Sequence, residues 1–176
     1  ENAALLPPPV SDETADKILE KIAKAKRPVI YAGGGIRLSG GYKEFRLAAE
    51  RLGVPVVTYW NSVDLMEDDD PLYCGRGGNM GDRAGNFAVQ NSDLVLAVGT
   101  RISIRQVGYN WKTWAREAEV VMVDIDPAEM KKPTLHVDMA VHADAKDFFE
   151  ALLRRTASRE TPVFLGERWR EQCREW

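Results

Sequence analysis

The 176-residue sequence contains few of the residues from which metal sites and disulfide frameworks are built. It has two cysteines, Cys74 and Cys173, and two histidines, His136 and His142. The cysteines lie far apart, with no CxxC spacing and no companion histidine, which argues against a disulfide framework and against zinc. No run of 18 apolar residues occurs, and the N-terminal segment lacks the features of an export signal. We therefore expect a cytoplasmic protein with no membrane span.

An excess of charge of one sign is also missing. The 24 basic and 27 acidic residues are scattered along the chain and leave a net charge of about −3. This distribution provides no electrostatic footprint for nucleic acid or for an anionic membrane. Small molecules and other proteins are the partners that such a composition favours.

Apolar runs that alternate with amphipathic helices indicate the fold class. Residues 29–32, 54–58, 94–98 and 120–125 form four strongly apolar runs, and a short fifth strand is predicted near residues 136–139. Strands that are apolar throughout are typical of a parallel sheet covered on both faces. The sequence therefore predicts a doubly wound, Rossmann-like α/β domain.

The two ends of the chain differ from this pattern. We interpret residues 1–11, which contain "LLPPP", as an interdomain linker, residues 12–156 as the domain, and residues 157–176 as a linker or helix toward a further domain. The last segment carries Trp169 and Trp176 in a charged helix. It either awaits a neighbouring domain or caps this one.

Polar and glycine residues follow each predicted strand. In an open parallel sheet, ligands bind outside the carboxyl ends of the strands, so these residues define the candidate site. They are Gly33, Gly34 and Gly35 after the first strand; Thr58, Tyr59, Trp60 and Asn61 after the second; Gly99, Thr100 and Arg101 after the third; and Asp124, Asp126 and Pro127 after the fourth.

Each of these groups has both a binding and a structural interpretation. The glycines let a backbone approach a phosphate closely, or they only make a tight turn, because "GGGIRLSGG" fits neither G-x-G-x-x-G nor a P-loop. Arg101 is suited to a pyrophosphate or to a surface ion pair. Asp124 or Asp126 could bind ribose hydroxyls, whereas Asp126 could instead cap the turn that begins at Pro127.

The remaining candidates favour structural roles. We expect Trp60, Trp111 and Trp114 to be core residues rather than stacking platforms, and the two histidines to be structural or exposed. The segment "MEDDDP" lacks the spacing of a calcium loop and is interpreted as a solvated turn. No catalytic residue and no metal-ligand set is predicted.

The order of the motifs resembles a known family. "RPVIYAGGG", "AAERLGVPVVTYWNSVD", "AVQNSDLVLAVGTRIS" and "VVMVDIDPAEMKKPTLHVDMAVHADAKDFFEAL" together resemble the central domain of thiamine-diphosphate-dependent enzymes, closest to the acetolactate synthase group. The resemblance extends over residues 12–155. It implies a parent enzyme that forms or cleaves C–C bonds of 2-oxo acids, with thiamine diphosphate and Mg²⁺ on domains other than this one, so this domain alone is expected to be inactive.

The resemblance also implies site residues and partners. The positions that match the flavin-contacting motifs of the family are Gly33, Gly34, Gly35, Arg101, Asp124 and Asp144. Related central domains hold FAD, ADP or no nucleotide, and all three remain open here. The family further implies contacts with the other domains of the same polypeptide and a homo-oligomer, a dimer or a tetramer.

Three positions depart from the synthase pattern. Met80-Gly81 stands where the synthases have His-Gly, "ISIR" follows Arg101 where they have an acidic residue, and Ala143 replaces a glycine. These departures leave room for a related decarboxylase, lyase or hydrolase. A stand-alone nucleotide- or flavin-binding module is the alternative outside the family; an NAD-dependent class of related topology would need an acid–base His or a nucleophilic Lys in a motif that the sequence lacks.

Overall fold

Six parallel strands form one sheet in this computed structural model, which describes residues 6–176; the first five residues of the predicted linker 1–11 lie outside the described residues. The strands are β1 (Pro28–Ala32), β2 (Val56–Thr58), β3 (Tyr73–Arg76), β4 (Leu94–Val98), β5 (Glu119–Asp124) and β6 (Met139–His142). Their order in the sheet is β3-β2-β1-β4-β5-β6. All five strand pairs are parallel.

Helices cover both faces of this sheet. They are α1 (Asp12–Lys24), α2 (Gly35–Leu38), α3 (Tyr42–Leu52), α4 (Arg83–Asn91), α5 (Ile104–Val107), α6 (Ala145–Arg155) and α7 (Glu167–Glu175). Helices α1, α3 and α6 pack together as one layer, and α4 packs with α7. Every residue of β1 and β4 is buried, as expected for central strands with helices on both faces. The doubly wound α/β class is confirmed.

Local sequence signals explain where the longer helices begin and end. The Ser11 hydroxyl accepts a hydrogen bond from the Thr14 N–H at 3.2 Å and so caps α1. Gly53 ends α3 with φ of 68°, in the left-handed region that glycine tolerates. Asp82 and Asp144 cap α4 and α6 through their carboxylates. Residue types that commonly cap helices therefore stand at these helix ends.

The sheet differs from the prediction at its two edges. Strand β3 was not predicted, because Tyr73–Arg76 is a short edge strand with one buried residue and therefore gives no apolar run. Strand β6 begins at Met139, three residues beyond the start of the predicted 136–139 segment. Edge strands bury only part of their side chains, so their sequences carry a weaker signal than those of central strands.

Direct backbone packing joins the turns that follow β1 and β4. A Cβ atom at Gly33 would lie 2.3 Å from the Gly99 carbonyl oxygen, and one at Gly35 would lie 2.7 Å from the Gly99 Cα. Gly99 itself has φ of 60° and faces Gly35. The Gly35 N–H donates to the Gly99 carbonyl at 2.9 Å. These three glycines are therefore required by the fold, whether or not a ligand binds.

Helix α7 packs on the domain as a cap over its amino-terminal edge. Trp169 is 6% exposed, and its indole N–H donates to the Pro28 carbonyl at 3.0 Å. Arg170 donates to the carbonyls of Gly53 and Phe164, each at 3.2 Å. The capping role considered for this segment is thus observed, while a connection from residues 157–176 to a further domain stays a prediction.

Within residues 6–176, no helix is both long enough and apolar enough to cross a membrane.

Substitution of adjacent glycines tests the packing of the two turns. We expect Gly35→Ala to lower the free energy of unfolding by about 1–3 kcal/mol, because its Cβ would overlap backbone atoms that have no alternative position. Gly34→Ala has no such neighbour and should leave stability unchanged or raise it by about 0.4–1 kcal/mol. Urea unfolding of the two variants makes the comparison, and equal losses would contradict it.

Two tryptophan substitutions test how much α7 contributes to stability, one at a buried ring on α7 and one at a more exposed ring elsewhere. Trp169→Ala should lower the free energy of unfolding by about 3–5 kcal/mol, since it removes a buried ring and leaves the Pro28 carbonyl without its donor. Trp111→Ala removes a ring that is 37% exposed and loses less buried area, so it should lower stability clearly less than Trp169→Ala does. Thermal or urea unfolding measures both; a loss at Trp111 as large as that at Trp169 would show that burial is not the cause.

Candidate functional site

A crevice of about 800 Å³ opens at the carboxyl edge of the sheet. It lies where the strand order reverses, between β1 and β4, and this order, 3-2-1-4-5-6, is the one that binds dinucleotides at the same point. Five loops contribute to its wall. Their lining residues fall within 34–39, 59–61, 99–106, 123–129 and 143–145. Its volume is within the range of ligand-binding pockets.

The structure brings six of the seven predicted site residues to this crevice. Gly34, Gly35, Arg101, Asp124, Asp126 and Asp144 all line it. Gly33 does not, because it packs behind the crevice wall against Gly99 and Thr100. The convergence of the strand ends on one crevice is thus observed, while binding of a cofactor by these residues stays a prediction.

Gly34 differs from the two glycines beside it. Its backbone is helical, with φ of −60°, and a Cβ atom added there would meet nothing nearer than the Asn61 amide nitrogen at 3.7 Å. Neither conformation nor packing therefore requires a glycine at this position. What the missing side chain provides is open space against the backbone, which a closely approaching ligand group could occupy.

Arg101 is held at the mouth of the crevice by the segment that follows β5. Its guanidinium lies 3.4 Å from the Glu129 carboxylate, and its carbonyl accepts from the Lys132 ammonium. The next residue, Ile102, is buried with φ of 43°, which is strained for a β-branched side chain. The surface ion pair considered for Arg101 is therefore present. The side chain is still 70% exposed and free to contact a ligand as well.

Two hydrogen bonds in succession join Asp124, Asp126 and Ala128 at the end of β5. The Asp124 carboxylate accepts from the Asp126 N–H at 2.9 Å, and the Asp126 carboxylate accepts from the Ala128 N–H at 2.8 Å. Burial raises the pKa of Asp124, and the carboxylates of Glu129 and Asp126 add to this effect. Each side chain uses one oxygen in these bonds, so the predicted cap at Asp126 is observed and one oxygen of each remains available.

Asp144 serves the start of α6. One carboxylate oxygen accepts from the N–H groups of Lys146 and Asp147, at 2.9 and 3.3 Å. The family resemblance pointed to this position as a flavin contact, and the residue does line the crevice. Its observed partners show that it caps the helix.

Tyr59, which lines the crevice, has a buried hydroxyl without a partner among the described residues. The residue is 7% exposed. Buried hydroxyls are normally satisfied, and the Tyr31 hydroxyl is likewise buried and without a partner among these residues. The open space at Gly34 is the observation by which the crevice fits a bound molecule.

Apolar side chains surround the rim. Leu38, Trp60, Ile104 and Ile125 all line the crevice, and each is at least half exposed. The expectation that Trp60 and Trp111 are core residues is wrong, because both are exposed; Trp114 is buried as predicted. An exposed indole at a crevice mouth can stack on a planar ring.

Leu38 and Gln106 also line the crevice, but the sequence did not reveal them. They belong to helices of four residues, which are too short for a periodic signal.

Of the three departures from the synthase pattern, two lie in the crevice. Ile104 and Ala143 line it, whereas Met80 is exposed and outside the lining. Neither histidine lines it: His136 pairs with Asp138 at 2.8 Å, and His142 contacts the Ile125 carbonyl at 3.0 Å. Residues 66–71 are also outside the crevice.

Charged side chains of both signs line the crevice. Arg101 and Arg105 line it together with four carboxylates, which are those of Asp124, Asp126, Glu129 and Asp144. In the described part of the chain, no lining hydroxyl is hydrogen-bonded to a histidine or carboxylate, and no cluster of three metal-ligating side chains occurs. An activated nucleophile needs such a base. The arrangement defines a Rossmann-like α/β domain with a crevice at its switch point.

Comparison with known proteins identifies the family. A model described as "Thiamine pyrophosphate enzyme, central domain" matches residues 15–152. The chain therefore belongs to this family and contains its central domain, as the motifs at the strand ends predicted.

Individual relatives show which enzymes of this family the chain resembles. The chain is 38% identical over 137 residues to a "Probable acetolactate synthase large subunit" of Methanocaldococcus jannaschii, covering 78% of this chain and 23% of that protein. It is 36% identical over 162 residues to "Acetolactate synthase 1, chloroplastic" of Zea mays, with 90% and 25% covered. It is 35% identical over 151 residues to an "Acetolactate synthase large subunit" of Corynebacterium glutamicum, with 84% and 24% covered. The chain thus spans about a quarter of the length of these relatives.

The raised pKa of Asp124 predicts how the stability of the fold depends on pH. Because the folded state holds this proton more tightly than the unfolded state, ionisation destabilises the fold as pH rises above the ordinary aspartate value of about 3.9. Asp124→Asn removes that penalty and keeps an acceptor for the Asp126 N–H. We expect the variant to have a higher urea midpoint than wild type at pH 7, with the difference shrinking toward pH 4. A lower midpoint at pH 7 would mean that the charge is stabilising instead.

Proposed function

We propose that this chain is the non-catalytic central domain of an acetolactate synthase-like enzyme that acts on 2-oxo acids. The family match over residues 15–152 and the likeness to acetolactate synthases support this reading. The observation that carries the non-catalytic assignment is the crevice itself: its lining within residues 6–176 offers polar and charged groups at five loops but no nucleophile paired with a base. Formation and cleavage of C–C bonds, the transferase or lyase chemistry, would belong to the whole enzyme.

Thiamine diphosphate and Mg²⁺ would be bound by other domains of that enzyme. Thiamine diphosphate supplies an electron sink for carbanions next to a carbonyl. The described residues do not fit this cofactor, because they include no cluster of acidic, histidine or cysteine side chains able to hold its metal ion. No step of the reaction is therefore assigned to this chain.

The crevice, in contrast, fits a nucleotide with a diphosphate, ADP or FAD. Gly34 offers open backbone, Arg101 offers a guanidinium for the diphosphate, and the free oxygens of Asp124 and Asp126 suit ribose hydroxyls. The exposed Trp60 provides a surface for a planar ring. In this role the nucleotide would stabilise the domain rather than react.

The same proposal includes the assembly and its location. We expect the domain to pack against the other domains of its polypeptide within a homo-oligomer, a dimer or tetramer. The exposed apolar rim of the crevice, including Leu38 at 91% exposure, is the surface most suited to such contacts. Two free cysteines agree with a reducing cytoplasm.

Titration with nucleotides tests the crevice. We expect FAD or ADP to bind with micromolar affinity by calorimetry or fluorescence, and to raise the Tm in proportion to its concentration. Arg101→Ala should weaken binding roughly tenfold or more, because it removes a charge-assisted hydrogen bond. Lys112→Ala, which removes an exposed positive charge outside the crevice, is the control and should bind as wild type does.

A second measurement separates binding from catalysis. The chain mixed with thiamine diphosphate, Mg²⁺ and pyruvate should consume no pyruvate. Turnover by the purified chain would overturn the non-catalytic assignment. Failure of both nucleotides to bind at millimolar concentration would instead leave the domain a scaffold and refute the nucleotide site.

A further inference from the structure

Two thiols that the proposed function does not use meet where α7 packs on the edge of the sheet. Cys74 lies on β3 and is 4% exposed, and Cys173 lies on α7 and is 1% exposed. They are the two cysteines of the sequence, and both are free. Both also line one surface pocket of about 620 Å³, so solvent reaches their surroundings.

Helix α7 packs against β3 and brings the two cysteines to one pocket. Trp169 and Cys173 are four residues apart and share a helix face, and the bond from Trp169 to the Pro28 carbonyl turns that face toward the sheet. On β3, Cys74 is the buried residue of the strand. Its thiol donates weakly to the Leu72 carbonyl at 3.6 Å. The neighbouring Cys173 thiol and burial both raise the pKa of Cys74.

We propose that Cys74 and Cys173 form a reversible disulfide that fastens α7 to β3 when the chain meets a small-molecule disulfide such as oxidised glutathione.

The exchange balances in two steps. The Cys173 thiolate attacks one sulfur of oxidised glutathione, which forms a mixed disulfide and releases one glutathione thiolate. The Cys74 thiolate then attacks the Cys173 sulfur, which forms the Cys74–Cys173 bond and releases the second glutathione. The two protein thiols lose two protons and two electrons, and the two electrons reduce oxidised glutathione to two thiols.

The position of α7 determines both how an oxidant reaches the two thiols and what the disulfide would change. The first attack requires transient opening of this helix, which is the C-terminal element of the described chain and lies beyond the family-matched residues 15–152. The completed bond would close a loop from residue 74 to residue 173 and restrict the unfolded chain. Docking of α7 would then depend on the redox state, and reduction would restore its freedom to open.

The experiment exposes the native chain to excess oxidised glutathione and then analyses it by intact mass and thiol titration. We expect free thiols to fall from two to none, a mass lower by two hydrogen atoms with no glutathione adduct, and a monomer on a non-reducing gel. The Tm should rise by roughly 5 °C or more and return on addition of dithiothreitol. Hydrogen exchange of residues 167–175 should slow in the oxidised form.

Single variants provide matched controls. Cys74→Ser and Cys173→Ser each keep one thiol and should show either one glutathione adduct or none, with no rise in Tm. The proposal is overturned if the native chain keeps two titratable thiols, carries two adducts, or forms only dimers. It is also overturned if either serine variant gains the same Tm, because the gain would then come from the oxidant and not from the bond. The mass of the wild-type chain decides the matter even where a variant fails to fold.

Discussion

Contact between two backbone turns is the constraint on which the carboxyl edge of the sheet depends. The turns after β1 and β4 approach so closely that Gly33, Gly35 and Gly99 leave no room for a side chain. This approach places the last residues of the two central strands side by side, and it forms the base from which the other loops surround the crevice. A change at this contact would move every group that the crevice presents, including groups far away in sequence.

The central part of the fold could be predicted because it is buried on both faces. Strands β1 and β4 and most of β5 are continuous apolar runs, and such runs have few interpretations once helices alternate with them. The edges could not be predicted as well. Strand β3 buries mainly Cys74, and β6 mainly Val141, so neither produces a recognisable pattern. Pairing of these strands is decided by neighbours in space, which a sequence pattern does not contain.

The candidate site was predicted in part for the same reason. A strand end is visible in a sequence, and parallel strands must bring their ends to one edge, so Arg101, Asp124 and Asp126 could be grouped in advance. What the sequence could not distinguish was the use of each residue. Gly33 and Gly34 are identical and adjacent, yet one is enclosed by backbone and the other faces open space. Asp126 and Asp144 each hold a turn or helix end while they line the crevice, so structural and binding roles are not exclusive here.

The beginning of α1 and the end of α6 are tied together by charge. Arg154 and Arg155 reach Asp12, and Arg155 also contacts Asp16 at 2.8 Å. The two helices that open and close the α/β unit therefore leave it at neighbouring points on one surface. A unit whose entry and exit are adjacent can be inserted between other folded parts, or exchanged for a related unit, without forcing those parts to separate. The geometry of these two ends therefore permits the α/β unit to vary as one piece, independently of whatever chain adjoins it.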